Sequence, residues 1–204
     1  MKINDLDLLE LDNSKLESTK FYSVYSSLSF NKGIIFKRIG TKSSLVFSGS
    51  ISKEINEVKN QNTGGLIRIE ANNQIHDFIY ELLKHKDIDK KWRYNDDVFF
   101  TEFSMDFNSL ESFRKIGLFE INSEEFKRNL LSLAIVGSCY KRINYSEQEI
   151  KTMIQDFVDQ LLNDVTDRII VSTMPWGEYH IGWFACFFII RKNDIIIFGQ
   201  DDYD

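Results

Sequence analysis

The chain has 204 residues, of which 43% are hydrophobic, and this is enough to form a sizeable core and to exclude an intrinsically disordered protein. The formal net charge is −6, because 31 acidic residues outweigh 25 basic ones, so the molecule as a whole does not attract phosphate backbones or anionic membranes. One proline and ten glycines leave no flexible linker, and we predict a single domain over residues 1–204.

The sequence favours a cytoplasmic location. Acidic residues interrupt the apolar ones near the N-terminus, which is not typical of a signal peptide. The longest apolar run, residues 181–190, is about half of the roughly 20 residues that span a bilayer. Cys139 and Cys186 lack the spacing of a metal or redox motif, so we expect two buried thiols in a reducing compartment.

The first third of the chain is predicted to be rich in strands. It begins with residues 1–18, which we expect to form either a loosely attached arm or a short helix. Alternating apolar side chains then predict strands over residues 21–30, 33–39 and 45–51, with a fourth over residues 66–70. This spacing is typical of an antiparallel meander.

The middle of the chain mixes helices and strands. One apolar face predicts a helix over residues 74–86, with His76 and His85 at the surface or at a helix end, because they lack the i,i+4 spacing of a ligand pair. A strand over residues 98–107 follows. A short helix that Asn108 caps and Gly117 ends then leads into a strand over residues 118–121.

Two helices with capping signals follow. Asn122 and Glu125 predict the start of a helix that continues to about residue 140, and its second half, residues 130–136, is so uniformly apolar that we expect it to be buried centrally. Ser146 and Glu149 predict a capping box before a helix with this apolar stripe: Ile150, Met153, Ile154, Phe157, Leu161 and Leu162.

The end of the chain predicts a strand over residues 168–174 and then a β-hairpin. Apolar runs at residues 181–190 and 195–198 flank a polar turn, and an acidic tail, residues 200–204, follows. The whole pattern predicts the α+β class: a mostly antiparallel sheet, with an N-terminal meander and a C-terminal hairpin, packed with three to four helices.

Glu178 and His180 come nearest to a catalytic site. Two residues apart on a strand, they share one face, and Asp201, Asp202 and Asp204 approach them if the hairpin pairs as predicted. Such a group is able to bind a divalent metal or to act as general acid and base, which gives a hydrolase as the alternative function. The simpler interpretation is a polar strand entrance beside a solvated tail. Cys186 lies in an apolar run that raises a thiol pKa, which argues against a nucleophile.

Protein binding is the function that the sequence favours. Aromatic rings among charged residues are typical of binding hot spots, although they are equally able to cap the ends of a sheet. We expect no cofactor, no nucleic acid and no membrane as partner, but a basic protein, most concretely a toxin domain such as a nuclease, which this chain would inhibit as an immunity protein or antitoxin does. The predicted binding face is Trp92, Tyr94, Asp96, Asp97, Trp176, Glu178, Tyr179, Asp201, Asp202 and Tyr203.

Overall fold

A computed structural model gives the fold of the chain. It describes residues 8–28, 34–41, 44–45, 47, 68–84, 109–115, 117–138, 140–162, 167–172 and 182–203.

Among these residues, seven strands form one sheet in which every neighbouring pair is antiparallel. The order across the sheet is β1-β2-β7-β6-β5-β4-β3. The predicted α+β class with a mostly antiparallel sheet is therefore confirmed. The strands are β1 (Leu8–Leu11), β2 (Ile34–Thr41), β3 (Arg68–Glu70), β4 (Leu118–Ile121), β5 (Arg168–Ser172), β6 (Gly182–Ile190) and β7 (Asp194–Tyr203).

Consecutive strands from β3 to β7 lie side by side in chain order. The N-terminal strands do not continue this pattern, because β2 pairs with β1 and β7 while β3 lies at the opposite edge of the sheet. The predicted N-terminal meander is therefore wrong. The strands that are neighbours both in the chain and in the sheet are the C-terminal ones, β3 to β7. β2 joins them by pairing with the last strand.

The six helices within the described residues cover both faces of this sheet. α3 and α4 pack on one face, which we call the front face, and the other four helices pack on the back face. Three to four helices were predicted, and the two additional ones are α1, a single turn, and α2, which has seven residues. The helices are α1 (Ser14–Glu17), α2 (Lys20–Ser26), α3 (Asn73–Lys84), α4 (Leu110–Phe113), α5 (Ser123–Val136) and α6 (Glu147–Leu161).

The hairpin of β6 and β7 lies at the centre of the sheet. Ile190 pairs with Ile195 across the turn, as predicted. Side chains alternate between the faces, so Ile197 enters the front cluster and Phe198 the back cluster. Both clusters need apolar side chains, which is why these strands are continuous apolar runs rather than alternating ones. β7 also continues past residue 198 as far as Tyr203, so the predicted acidic tail is largely strand.

α2 occupies a segment for which we predicted a strand, residues 21–30, and that prediction is wrong. Thr19 is the N-cap, and its hydroxyl accepts from the backbone N–H of Tyr22 at 3.3 Å. Phe21, Tyr25 and Leu28 are spaced by four and then three residues, and all three are buried in the back cluster. The apolar residues of this segment therefore fit a helical period as well as the alternating pattern from which we predicted a strand.

Capping predicted two helix starts correctly. The side chain of Asn122 accepts from the N–H of Glu125 at 3.0 Å and begins α5. Ser146 and Glu149 form a complete capping box at the start of α6. In α4 the cap is Ser109 instead of Asn108, and the helix is one turn long.

Four further segments differ from expectation or lie outside the description. α5 ends at Val136, and Ile135 is 50% exposed, so its second half is not centrally buried. Residues 8–11 form an unpredicted strand. Leu45 and Phe47 belong to no strand or helix, and the rest of the predicted strand over residues 45–51 lies outside the described residues. The predicted strand over residues 98–107 lies outside them as well.

Candidate functional site

Most of the predicted binding face lies outside the described residues. This applies to Trp92, Tyr94, Asp96, Asp97, Trp176, Glu178 and Tyr179. His180 and Asp204, which belong to the hydrolase alternative, lie outside the described residues as well. The backbones of Asp201, Asp202 and Tyr203 are described and belong to β7. The predicted face, and the hydrolase alternative on His180 and Glu178, therefore stay predictions.

The backbone register nevertheless fixes where the acidic end of β7 lies. Tyr203 pairs with Gly182, Asp202 with Trp183 and Asp201 with Phe184. This end of β7 thus runs beside the start of β6, which begins shortly after His180. The pairing of β7 with β2 ends at Gln200, opposite Ile34, so residues 201–203 pair with β6 alone among the described residues.

Two buried carboxylates are held by arginines. Arg168 donates from Nε and Nη2 to Glu120, at 3.0 and 2.7 Å, and both side chains lie on the front side of the sheet between β4 and β5. Asp194 accepts from Arg191 and, at 2.7 Å, from Arg38. Burial alone would raise the pKa of Asp194, but the hydrogen bonds and charges of the two arginines outweigh it, so the pKa lies below 3.8. The bonds from Arg168 to Glu120 and from Arg38 to Asp194 tie neighbouring strands together.

Other side chains of reactive types have structural roles. Cys186 is 1% exposed, and burial raises the pKa of its thiol well above 9.0, so it is a poor nucleophile, as expected. His76, predicted at the surface or at a helix end, lies in the first turn of α3 but is buried, with Nδ1 at 3.2 Å from the carbonyl oxygen of Asn72. Ser138 is fully buried and donates to the carbonyl oxygen of Leu28 at 2.8 Å.

Neither a metal-binding cluster nor a membrane-spanning helix is present in the described part of the chain. No set of three or more His, Cys, Asp or Glu side chains there is arranged to hold a metal ion. None of the helices described is both long and apolar enough to cross a bilayer. Comparison with protein-family models, curated proteins and solved structures finds no match to this chain.

One surface that the sequence did not single out is visible in the structure. Ile135 is 50% exposed, Tyr140 67% and Tyr145 39%, and they lie at the end of α5 and in the loop that leads to α6. Sequence reasoning assigned Ile135 to the core because its neighbours are apolar, and it left both tyrosines unremarked as binding residues. The capping signal at Ser146 could have indicated this surface, because it fixes the start of α6 and so places Tyr140 and Tyr145 before the helix.

Proposed function

We propose that this chain is an acidic cytoplasmic protein that binds and inhibits a basic protein, most concretely a toxin domain such as a nuclease. The observation that carries the proposal is the net charge of −6 on a chain of 204 residues. An acidic inhibitor is steered to a cationic active site by long-range attraction, which raises the association rate, and it then covers the charges that bind the substrate. Barnase and barstar are the general example of this behaviour.

The buried ion pairs support this proposal because they do not account for the net charge. Glu120 is paired with Arg168, Glu125 with Arg128, and Asp194 with two arginines. Each group is neutral or positive, so the excess of negative charge is carried by other residues. That excess negative charge is then available to a partner instead of being neutralised by these ion pairs.

The acidic end of β7 is the best placed part of the candidate face. Asp201 and Asp202 pair with Phe184 and Trp183 of β6, so the backbone on this side is held by the hairpin before any partner arrives. A fixed backbone lowers the entropy that is lost on binding. Asp96 and Asp97, with Trp92 and Tyr94, complete the proposed face from the sequence.

The test is to co-purify the native partner and then to measure its association with the pure chain over a series of salt concentrations. We expect one stoichiometric basic protein, whose association rate falls as salt rises. The variants Asp201→Lys/Asp202→Lys and Asp96→Lys/Asp97→Lys should each weaken binding by about tenfold or more, since close charge pairs across such interfaces are strongly coupled.

The matched control is Asp156→Lys/Asp159→Lys, which changes the net charge equally at exposed positions of α6. It should slow association slightly and leave the dissociation rate unchanged. Recovery of no basic partner would refute the proposal. So would an affinity that does not depend on salt, or an equal loss in the control and in the two test variants.

A further inference from the structure

The end of α5 and the loop that follows it carry most of the exposed large hydrophobic side chains among the described residues. Three of the four exposed large hydrophobic side chains in the described part of the chain lie here, namely Ile135, Tyr140 and Tyr145, and the fourth is Leu9 of β1. Single exposed apolar residues are ordinary, but several within one short segment mark an interaction site. We call Lys20, Ile135, Tyr140, Lys141 and Tyr145 the tyrosine-loop surface.

The loop that carries these tyrosines is held rigidly. Gly137 ends α5 with φ of 72°, and a Cβ at this position would lie 2.5 Å from the carbonyl oxygen of Lys141. The buried hydroxyl of Ser138 donates to Leu28 and accepts from the backbone N–H groups of Tyr140 and Lys141. A tyrosine on a rigid backbone loses little conformational entropy when a partner covers it, which is the property of a binding hot spot.

The charge of this surface is opposite to that of the whole chain. Residues 137–146 include Lys141 and Arg142 and no acidic residue, although the chain has a net charge of −6. Nζ of Lys20 lies 5.0 Å from the centre of the Tyr145 ring and adds a further cation. Of the nearest acids in the sequence, Glu147 pairs with Lys151 at 2.6 Å, and Glu149 caps Ser146 and interacts with the charge of Lys20, so the excess positive charge of this surface comes from Lys141 and Arg142.

We propose that the tyrosine-loop surface docks an acidic, aromatic-containing segment of a second protein partner. Cations around exposed rings fit carboxylates that flank an apolar side chain. A symmetric pair of copies of this chain is disfavoured, because the same cations would be present on both sides of the interface. A nucleic acid is disfavoured because the rest of the molecule repels phosphate. This partner is distinct from the basic one proposed above.

The experiment uses the ¹⁵N-labelled full chain and a short synthetic peptide of glutamates around one central tryptophan. We expect the peptide to shift the amide resonances of residues 135–146 and of Lys20, with an affinity that falls as salt rises. The same peptide with lysines in place of the glutamates, and a short oligothymidylate, should shift them at least about tenfold more weakly at equal concentration.

Two variants that leave the hydrogen bonds of the Ser138 hydroxyl in place sharpen the test. Tyr140→Ser and Lys20→Glu/Lys141→Glu should each weaken peptide binding by about fivefold or more, while Leu9→Ser, at the other exposed apolar position, should not change it. Any of three results would overturn the proposal: no shift at millimolar acidic peptide, stronger binding of the oligonucleotide, or shifts that depend only on the concentration of the chain itself. The basic partner is absent from this assay, so failure here is separate from failure of the proposed inhibitor function.

Discussion

Asp194 holds the turn of the central hairpin through its carboxylate. Arg191 donates to both carboxylate oxygens and, from Nη1, to the carbonyl oxygen of Leu161 at 3.0 Å, so the turn is tied to the end of α6. Arg38 of β2 donates to the same carboxylate. One buried residue therefore links two central strands, their neighbour and a helix.

Replacing Asp194 with Asn should lower the free energy of unfolding by about 3 kcal/mol at pH 7, because two guanidinium groups lose their counter-charge in a buried site. The pKa of Asp194 is lower in the folded chain, so its contribution is complete above about pH 4 and is lost as the pH falls through the folded pKa. Urea unfolding of both proteins between about pH 2.5 and 7 should show the difference narrowing only below about pH 4.

Asp77 provides the matched control for this prediction. It is paired with Arg114 at 2.6 Å, but both side chains are about 40% exposed, at 42% and 40%. Asp77→Asn should therefore cost less than about 1 kcal/mol. Equal losses in the two variants, or a difference for Asp194→Asn that stays constant down to pH ~2.5, would show that the buried arginines do not act as described.

Among the helices, α6 begins with the strongest local signal in the chain. The hydroxyl of Ser146 accepts from the N–H of Glu149, and Glu149 Oε2 accepts from the N–H of Ser146 at 2.8 Å and from its hydroxyl at 2.6 Å. These bonds hold the pKa of Glu149 below 4.5, and the bond from the Ser146 hydroxyl has a larger effect than the bond from the Ser146 backbone N–H. Local interactions of this kind do not depend on the rest of the fold, which is why the sequence predicts them.

Ser146→Ala should lower the free energy of unfolding by about 1 kcal/mol, since it removes the hydroxyl that accepts from the N–H of Glu149, while the backbone N–H of residue 146 is still able to donate to the Glu149 carboxylate. Ser132→Ala on the exposed side of α5 is the control and should be neutral or slightly stabilising, because alanine is the better residue inside a helix. Thermal unfolding followed by circular dichroism measures both variants. A loss in Ser146→Ala no larger than in Ser132→Ala would contradict the structural role of the cap.

α2 shows what the sequence does not decide at the scale of an element. Residues 21–28 satisfy both an alternating pattern and a helical one, because apolar side chains occupy Phe21, Tyr22, Val24, Tyr25 and Leu28. The choice is made by tertiary packing. Phe21 lies 5.2 Å from Phe157 of α6 between ring centres, and the ring centre of Tyr25 lies 5.9 Å from that of Phe198 of β7. Such long-range contacts override local propensity and are invisible in the sequence.

The candidate surfaces also differ in whether the sequence predicted them. Pairing of β6 with β7 followed from two apolar runs around a polar turn, and it brought the acidic end of β7 beside the start of β6, as expected. The exposure of Ile135 and Tyr140 did not follow, because burial depends on which side of α5 meets the sheet. Phe126, Leu130 and Ala134 take that side. The remaining apolar residues of α5 are then left at the surface.

For the whole molecule, the order of the strands determines how the two helical layers depend on each other. The connection between β3 and β4 carries α3 and α4 to the front face, and the connection between β4 and β5 carries α5 and α6 to the back face. β6 and β7 contribute side chains to both clusters. Neither cluster is complete without the central hairpin, so we expect both layers to unfold in one cooperative transition.

Ile197 and Phe198 test this expectation, because they are adjacent in β7 and point to opposite faces. Ile197→Ala should cost about 2–5 kcal/mol and Phe198→Ala about 3–5 kcal/mol, since each leaves a cavity in a packed cluster. The ring of Phe198 lies between those of Tyr25, Phe36, Phe157 and Phe187, at centre distances of 5.9, 5.5, 6.0 and 6.2 Å. Urea unfolding is measured by circular dichroism and by hydrogen exchange of the amides of α3 and α6.

In a single domain, either substitution destabilises both layers equally, so the amides of α3 and α6 should lose protection by the same free energy in each variant. This holds even though Ile197 contacts only the front cluster and Phe198 only the back one. If Ile197→Ala reduced protection in α3 and left α6 unchanged, the two faces would be separate cooperative units. The predicted single domain over residues 1–204 would then be wrong, because β6 and β7 would not couple the layers that they join.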